Sequence, residues 1–400
     1  MDLQRRLAAR SLTSRWPKSL LALALLLAAG PASAAEHVIQ ISVDGLSGIL
    51  LEGLIANDPT GQYANFARLA AEGAGTFDAR ADYTHTITLP NHTSMLTGRP
   101  VSQPAGAPNT VQHGYTNNDN PPPGSTLHNS GNPSLSYVAS AFDVAHDHGL
   151  STALYASKSK FVIFEWSYDA AHGAPDTTGP DDGRDKIDTY VNSAAASMQA
   201  SLLAGLAASH FDYVFVHYSN PDDAGHATSW GSPSWNAAVH TVDGYLGALF
   251  ALVESDPQLR HRTLIILSAD HGGFGNNHAD PTLELDYTIP FFVWGAGVQP
   301  GADLYALNPA TRADPGSGRP SYTATPPPIR NGDGCNLALS ALGLPPVPGS
   351  TIDAAQDLAI TSTGIPLLPP LARAALFLML LSGGVLGTRL RGRAPSSRAR

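Results

Sequence analysis

The sequence predicts an α/β protein built on a doubly wound, mostly parallel sheet with helices on both faces. Two observations carry this. Short apolar runs such as His37–Val43 and Thr263–Ser268 recur along the chain with longer helix-patterned segments between them, the alternation that yields a parallel sheet covered on both sides. Two of these runs end directly in a carboxylate, at Asp44 and Asp270, and open α/β sheets collect their ligands beyond the carboxyl ends of their strands.

In chain order, His37–Val43 is the first strand and Tyr63 to Glu72 reads as an amphipathic helix. Thr84-His-Thr-Ile-Thr88-Leu-Pro-Asn-His92 then leads into Thr93-Ser-Met-Leu-Thr-Gly98. From Arg99 to Pro133 the chain is rich in Pro, Asn and Gly and reads as an ordered surface loop or small insertion. Ser136 to His148 is helical and Thr152–Ala156 a strand. A polar, aromatic-studded segment from Lys158 to Lys186 precedes a long helix, Ile187 to Ala208. The strand Tyr213–His217, the helix Trp235 to Val253, the strand ahead of Asp270, the strand Thr288–Trp294 and the helix Gly332 to Leu342 complete the series.

The chain of 400 residues is 43% apolar, enough for a large core, and carries a formal charge of −10. Five basic residues stand at or before Lys18 and six from Arg373 onward, so the part between is more acidic than the total implies. Such a surface repels polyanions, and no nucleic-acid binding is expected. Cys335 is the only cysteine, which excludes an internal disulfide and a thiolate-rich metal site. Any metal must be held by oxygen and nitrogen.

Arg5, Arg6, Arg10, Arg15 and Lys18 precede an apolar run, Leu20 to Ala29, and then Pro31-Ala-Ser-Ala34. This order predicts a secretory signal over residues 1–34. A second apolar run, Ala374 to Gly387, is preceded by Ile365-Pro-Leu-Leu-Pro-Pro370 and followed by Arg389, Arg391 and Arg393. At about fourteen residues it falls short of the roughly twenty that a permanent span needs. The expected organisation is a signal peptide over 1–34, one catalytic domain over 35–362 and a sorting or membrane segment over 363–400. The protein is then exported, to the periplasm, cell surface or medium, with transient anchoring through its carboxyl end.

Chemistry concentrates in Ser268-Ala-Asp-His-Gly-Gly-Phe-Gly-Asn-Asn-His278, where one carboxylate and two imidazoles follow a buried strand. The glycines let the backbone turn so that His278 returns toward Asp270 and His271. Asn220-Pro-Asp222-Asp-Ala-Gly-His226 follows another strand. If a helix starts there, Asp222 and His226 lie one turn apart on one face and can share a metal ion. An Asp and a His four apart also occur as an ordinary solvated pair. The conjunction of three strand ends bearing Asp44, Asp222 and Asp270, two of them with histidines, favours a metal site.

These residues resemble the alkaline phosphatase superfamily, and within it the type I phosphodiesterase/nucleotide pyrophosphatase group. The resemblance rests on Val43-Asp-Gly45, Thr88-Leu-Pro-Asn-His92, Thr97-Gly98, His113-Gly-Tyr-Thr-Asn-Asn118, Pro221-Asp-Asp-Ala-Gly-His226 and Ala269-Asp-His-Gly272. Ile329-Arg-Asn-Gly-Asp and Leu342-Gly-Leu-Pro-Pro-Val-Pro-Gly349 also look like that superfamily. It implies an alkaline-phosphatase-like fold and two divalent ions, usually zinc, with manganese or iron also compatible with such ligands. One ion would be held by Asp44, Asp270, His271 and the hydroxyl of Thr88, the other by Asp222, His226 and His278. Some relatives supply the last histidine from far downstream, but no histidine follows His278 here. The carboxyl terminus resembles the tripartite signals of exosortase substrates, without their Pro-Glu-Pro motif, and would be read by a sorting protease.

The same resemblance makes Thr88 the nucleophile, its hydroxyl activated by a dication, and Asn118, with Asn117 beside it, the donor to a nonbridging oxygen. The substrate would be a small phosphorylated compound. Lys158 and Lys160 stand where monoesterases and phosphonate hydrolases of the superfamily carry paired bases for a terminal anion; a solvated loop is the alternative. For a diester, Leu89, Phe161, Phe164, Trp166 and Tyr168 could wall a leaving nucleoside, core packing being their other use. A sulfatase would need a Cys-X-Pro-X-Arg type setting, which Cys335-Asn-Leu-Ala-Leu lacks. A non-catalytic surface protein would scatter the seven ligands rather than keep them together.

Overall fold

The computed structural model describes residues 35–362, and its eight strands form one sheet. They are β1 (His37–Val43), β2 (Ala74–Arg80), β3 (Thr152–Ala156), β4 (Thr189–Asn192), β5 (Tyr213–Tyr218), β6 (Thr263–Ser268), β7 (Thr288–Gly295) and β8 (Ala302–Asp303). Across the sheet the order is β4-β3-β5-β1-β6-β7-β2-β8. The first five in that order are mutually parallel, and β7 runs antiparallel to both β6 and β2. The expected mostly parallel sheet is therefore present, with β7 its one reversed strand among the described residues.

All seven residues of β1 are buried, as its place between β5 and β6 requires. Helices gather in two groups. Ala64–Glu72, Ala195–Ser209, Asn220–Thr228 and Pro233–Ser255 pack together, and Thr88–Thr97, Ala141–Asp147 and Asp333–Ala341 form the other group. Between helix layers and sheet lies a core in which Ile39, Ile41, Leu267 and Phe215 are wholly buried.

Two helices start later than the sequence expectation, each for a local reason. The segment read as one helix from Ile187 begins as the edge strand β4, whose Thr, Tyr and Val suit a pleated surface; the helix starts at Ala195. The helix expected from Ser136 starts at Ala141, because Ser140 and Asp143 form a capping box in which each side chain accepts the other's backbone N–H. Thr88 is the first residue of the helix Thr88–Thr97. β2 has no strong apolar run and is legible only from its antiparallel pairing with β7, which is broken between Thr76 and Ala79.

The expected signal at 1–34 and sorting segment at 363–400 lie outside the described residues. Among those described, no helix is long and apolar enough to cross a membrane.

The closing segment of the domain is tied down electrostatically. Arg312, its side chain only 4% exposed, meets Asp333 at 2.9 Å, Asp353 at 2.7 Å and Asp357 at 2.8 Å. Removing one partner of a buried ion pair leaves uncompensated charge and costs about 3–5 kcal/mol. Arg312→Ala should lower the unfolding free energy by about that amount in urea titration, and a loss below about 1 kcal/mol would mean the cluster stabilises nothing.

Candidate active site

Because β3, β5, β1 and β6 are neighbours and parallel, their carboxyl ends share one edge. Ser42 of β1 pairs in register with His217 on one side and Ser268 on the other. Just past that edge come Ser157 and Lys158 after β3, the helix Asn220–Thr228 after β5, Asp44 after β1, and Asp270 and His271 after β6. Gly45 has φ +71°, and a Cβ there would fall 2.9 Å from the Asp222 Cα. Only glycine lets the turn after β1 approach the helix that carries Asp222, whose N–H donates to the Asp44 carbonyl at 3.1 Å.

The seven sequence-predicted ligands divide over this edge as follows. Asp44, Asp270 and His271 form one cluster, and Asp222, His271 and His278 another, with ligand atoms in each within 4.8 Å of one another. His271 Nε2 lies 3.4 Å from Asp44 Oδ1 and 3.1 Å from Asp270 Oδ2, so this imidazole stands between the two groups. His226, one helical turn beyond Asp222, places Nε2 3.4 Å from Asp222 Oδ1 and 3.1 Å from His278 Nε2. Its side chain is 47% exposed and marks the mouth. His278 returns through a tight turn bridged between Phe274 and Asn277, with Gly275 at φ +58°, and its ring stacks on His271 at 3.7 Å.

Four buried atoms of this group have no hydrogen-bond partner: Asp44 Oδ1, Asp222 Oδ1, Asp270 Oδ2 and His271 Nε2. Leaving a buried polar atom unpaired costs about 1–3 kcal/mol, so four converging on one space point to a shared ligand. Their complement of carboxylate and imidazole suits a divalent transition metal, and Cys335 is buried elsewhere, its Sγ bonded to the Gly332 carbonyl. The residues fit the metal group that the sequence implied.

The Thr88 turn is held against these ligands from both sides. His278 Nδ1 donates to the Thr86 carbonyl at 2.6 Å, and the Thr86 hydroxyl donates back to the His278 carbonyl. On the other side His92 Nδ1 donates to the Thr88 carbonyl at 2.8 Å and lies 3.6 Å from Asp270 Oδ2. Thr88 is 1% exposed and begins its helix, where the macrodipole favours developing negative charge. The long loop read as an insertion brings in Asn118. Its Oδ1 accepts from the Leu89 N–H at 2.9 Å and from Lys160 Nζ at 3.3 Å, which leaves its NH2 as the donor for an anionic oxygen.

Lys158 does not project as a free clamp. Its ammonium sits between the first and second ligand groups, 2.6 Å from Asp44 Oδ2 and 2.5 Å from Asp222 Oδ2. Lys160 keeps the outward position, beside Asn118. The aromatic wall is corrected for four of its five residues: Leu89, Phe161, Phe164 and Tyr168 are wholly buried in the core while Trp166 is half-buried, and Phe161 packs on His92 and His217 beneath the site.

Sequence reading missed His217, which lies inside an apolar strand and has no motif spacing. It is fully buried; its Nε2 donates to Asp44 Oδ2 at 3.0 Å and its Nδ1 accepts from the Ser157 N–H at 3.3 Å. Asn331, from Ile329-Arg-Asn-Gly-Asp, donates to the Ala269 and Asp270 backbone carbonyls and so holds the main chain that carries the Asp270 carboxylate.

Charge sets the protonation pattern. Burial would raise Asp44, but Lys158 and His217 outweigh it and hold the carboxyl well below its usual value. Burial and then the Asp44 charge raise Asp270 and Asp222. Burial opposes protonation of His271, yet Asp270, Asp44 and Asp222 together push it up to about 9. Burial, reinforced by His271, pushes His278 down to about 2, leaving it a lone-pair donor at neutral pH. The same acidic attraction that draws a proton onto His271 draws a dication that competes with it.

A profile of the family described as Type I phosphodiesterase / nucleotide pyrophosphatase matches residues 38–313. The chain belongs to this family. Membership makes it a hydrolase acting on phosphoryl or sulfuryl esters, of a metal-dependent family. A search of curated proteins finds no match. Among solved structures, the murine ectonucleotide pyrophosphatase / phosphodiesterase 5, as an inactive variant in complex with AMP, aligns over 81% of this chain and 99% of its own with TM-score 0.53 and 14% identity. The human protein of the same name aligns over 80% and 99% with TM-score 0.52 and 12% identity. BT1596, a 2-O GAG sulfatase, aligns over 82% and 76% with TM-score 0.51 and 10% identity. At these identities the likeness is one of fold, and it places this family member among alkaline-phosphatase-like proteins.

For this phosphodiesterase-family hydrolase, the unassigned His217 yields a direct test. Groups that orient a metal-binding carboxylate typically account for about ten- to a hundredfold in affinity. His217→Ala should weaken zinc binding to that extent in isothermal titration, and His217→Gln, which retains an amide donor, should recover part of it. Unchanged affinity in both variants would remove His217 from the site.

Proposed function

We propose that this protein is a two-metal phosphoric ester hydrolase with Thr88 as its nucleophile. The observation that carries the reading is the convergence of four unpartnered buried ligand atoms, on Asp44, Asp222, Asp270 and His271, at the start of the helix that Thr88 opens. Asp44, Asp270 and His271, with the Thr88 hydroxyl, would hold one zinc ion, and Asp222, His226 and His278 the other. When bound, such ions lower the pKa of a hydroxyl and of water and neutralise phosphoryl charge.

The chain's own groups perform the rest. The Thr88 oxygen attacks phosphorus, the bond to the leaving alcohol breaks, and the alcohol departs with a proton. Water then hydrolyses the phosphothreonine and restores the hydroxyl. The Asn118 NH2 donates to a nonbridging oxygen throughout, its orientation fixed by the Leu89 N–H and Lys160 on its Oδ1. His92, bonded to the Thr88 carbonyl and to Ser42 Oγ, keeps the first helical turn in place.

A monoesterase reading is favoured by one observation: Lys160 Nζ stands 3.3 Å from the very amide oxygen that orients Asn118, where it can face the additional negative charge of a monoester. We also read the protein as exported, on the strength of its amino-terminal residues.

Thr88→Ala should reduce kcat by about 10⁴-fold while metal content, measured by atomic emission, stays at the wild-type level. Retention of a tenth of the activity would exclude Thr88 as nucleophile. Lys160→Ala distinguishes the ester classes. If Lys160 meets the extra charge, kcat/KM for an aryl phosphomonoester falls about ten- to a hundredfold while that for the matching diester changes little; equal effects would favour a diesterase.

A further inference from the structure

We infer that the leaving group accepted by this site is a small hydroxylated alcohol, a polyol or sugar, and not a nucleoside. The inference rests on the hydrolase reading above and adds the class of alcohol. Beside Asn118 and Lys158 opens a cavity of about 450 Å³, formed by residues 118–120, residues 157–160 and Asp223. Two other cavities, of about 410 and 830 Å³, contain none of the predicted catalytic or ligand residues, so chemistry rather than size selects this one.

Every residue lining it carries a hydrogen-bonding side chain, and none is aromatic or aliphatic. A nucleobase held in a protein cleft is fixed chiefly by stacking, worth roughly 1–3 kcal/mol per base. No ring in this wall offers that. Phe161, Phe164 and Tyr168 are wholly buried, and neither the half-buried Trp166 nor the exposed Phe274 and Leu283 are part of the cavity. A leaving nucleoside would exchange water for a surface with nothing apolar to receive its base.

A hydroxyl both donates and accepts, and this wall presents both functions. Asp119 and Asp223 supply acceptors; the Lys160 ammonium and the Asn120 NH2 supply donors. The cleft is also preformed. Ser159 Oγ donates to Asn120 Oδ1 at 2.8 Å, Lys160 ties to Asn118, and Ser219 Oγ donates to Asp223 Oδ2 at 2.7 Å. Asp119 follows Asn118 and Asp223 follows Asp222, so each carboxylate is one residue from a group assigned to the phosphoryl centre. The hydroxyls of a compact alcohol are within their reach. The same two charges repel a leaving group that brings further phosphates. In the reaction the phosphorus–oxygen bond to the polyol breaks, the polyol leaves as the neutral alcohol, and the oxygen of water ends on phosphate.

The test is a kcat/KM panel on the metal-loaded enzyme with glycerol phosphate, glucose 6-phosphate and AMP, each as monoester and methyl diester, and p-nitrophenyl phosphate as reference. In whichever ester form is turned over, the polyol and sugar compounds should exceed the adenosine compound at least tenfold. Asp119→Ala and the isosteric Asp119→Asn, both at an exposed loop position, should reduce the ratio of glycerol phosphate to p-nitrophenyl phosphate by about tenfold or more. An adenosine compound that matches or exceeds the polyol compounds overturns this inference and leaves the hydrolase reading standing, as does a ratio unmoved in both variants. Failure to hydrolyse any compound, p-nitrophenyl phosphate included, overturns both.

Discussion

Asp44, Asp222 and Asp270 are carboxylates brought together where water cannot separate them. Two like charges about 4 Å apart repel by about 4 kcal/mol at an effective dielectric constant of about 20, several times the net worth of an ordinary hydrogen bond. The arrangement therefore requires positive charge, and neighbouring groups are arranged to provide it. Lys158 bridges Asp44 and Asp222, His271 faces Asp44 and Asp270, and the Gly45 and His271 N–H groups donate to Asp270 Oδ1. Even so, one oxygen of each carboxylate has no hydrogen-bond partner. A cluster optimised for stability alone would not leave three such atoms facing one another; one built to receive cations would.

The sheet makes this clustering possible. Four adjacent parallel strands end together, and each end is followed by a residue of the site. Beneath the ligands, His92 and His217 form a second layer, with rings 5.0 Å apart and Phe161 packed on both. This layer couples the Thr88 helix, β1 and β5 through hydrogen bonds to Ser42, Thr88 and Asp44. A displacement of any one of the three would be felt by the other two.

The proposed metal ligands and the polar cleft share the helix Asn220–Thr228, which carries Asp222 of the one and Asp223 of the other. The rest of the cleft comes from residues 118–120 and 157–160, which connect the regular elements. Such connections can vary without disturbing the sheet, and here every residue that they contribute to the cleft is polar.

The sequence alone determined the α/β class, the strands at His37–Val43, Tyr213–His217 and Thr263–Ser268, and the residues at their ends. Those features are local: apolar runs report burial, and the four-residue spacing of Asp222 and His226 reports one helical face. It also excluded a thiolate-rich metal site, since Cys335 is the only cysteine. Only the tertiary structure decided that β3, β5, β1 and β6 lie side by side, because strand order follows from long-range packing that no local period encodes. From that order came the placement of Lys158 between Asp44 and Asp222, the contact of His217 with Asp44, and the position of His271 between the two ligand groups. The fate of Phe161, Phe164 and Tyr168 was decided in the same way. An aromatic side chain packs equally well in a core or on a pocket wall, and which it does depends on what the rest of the chain places against it.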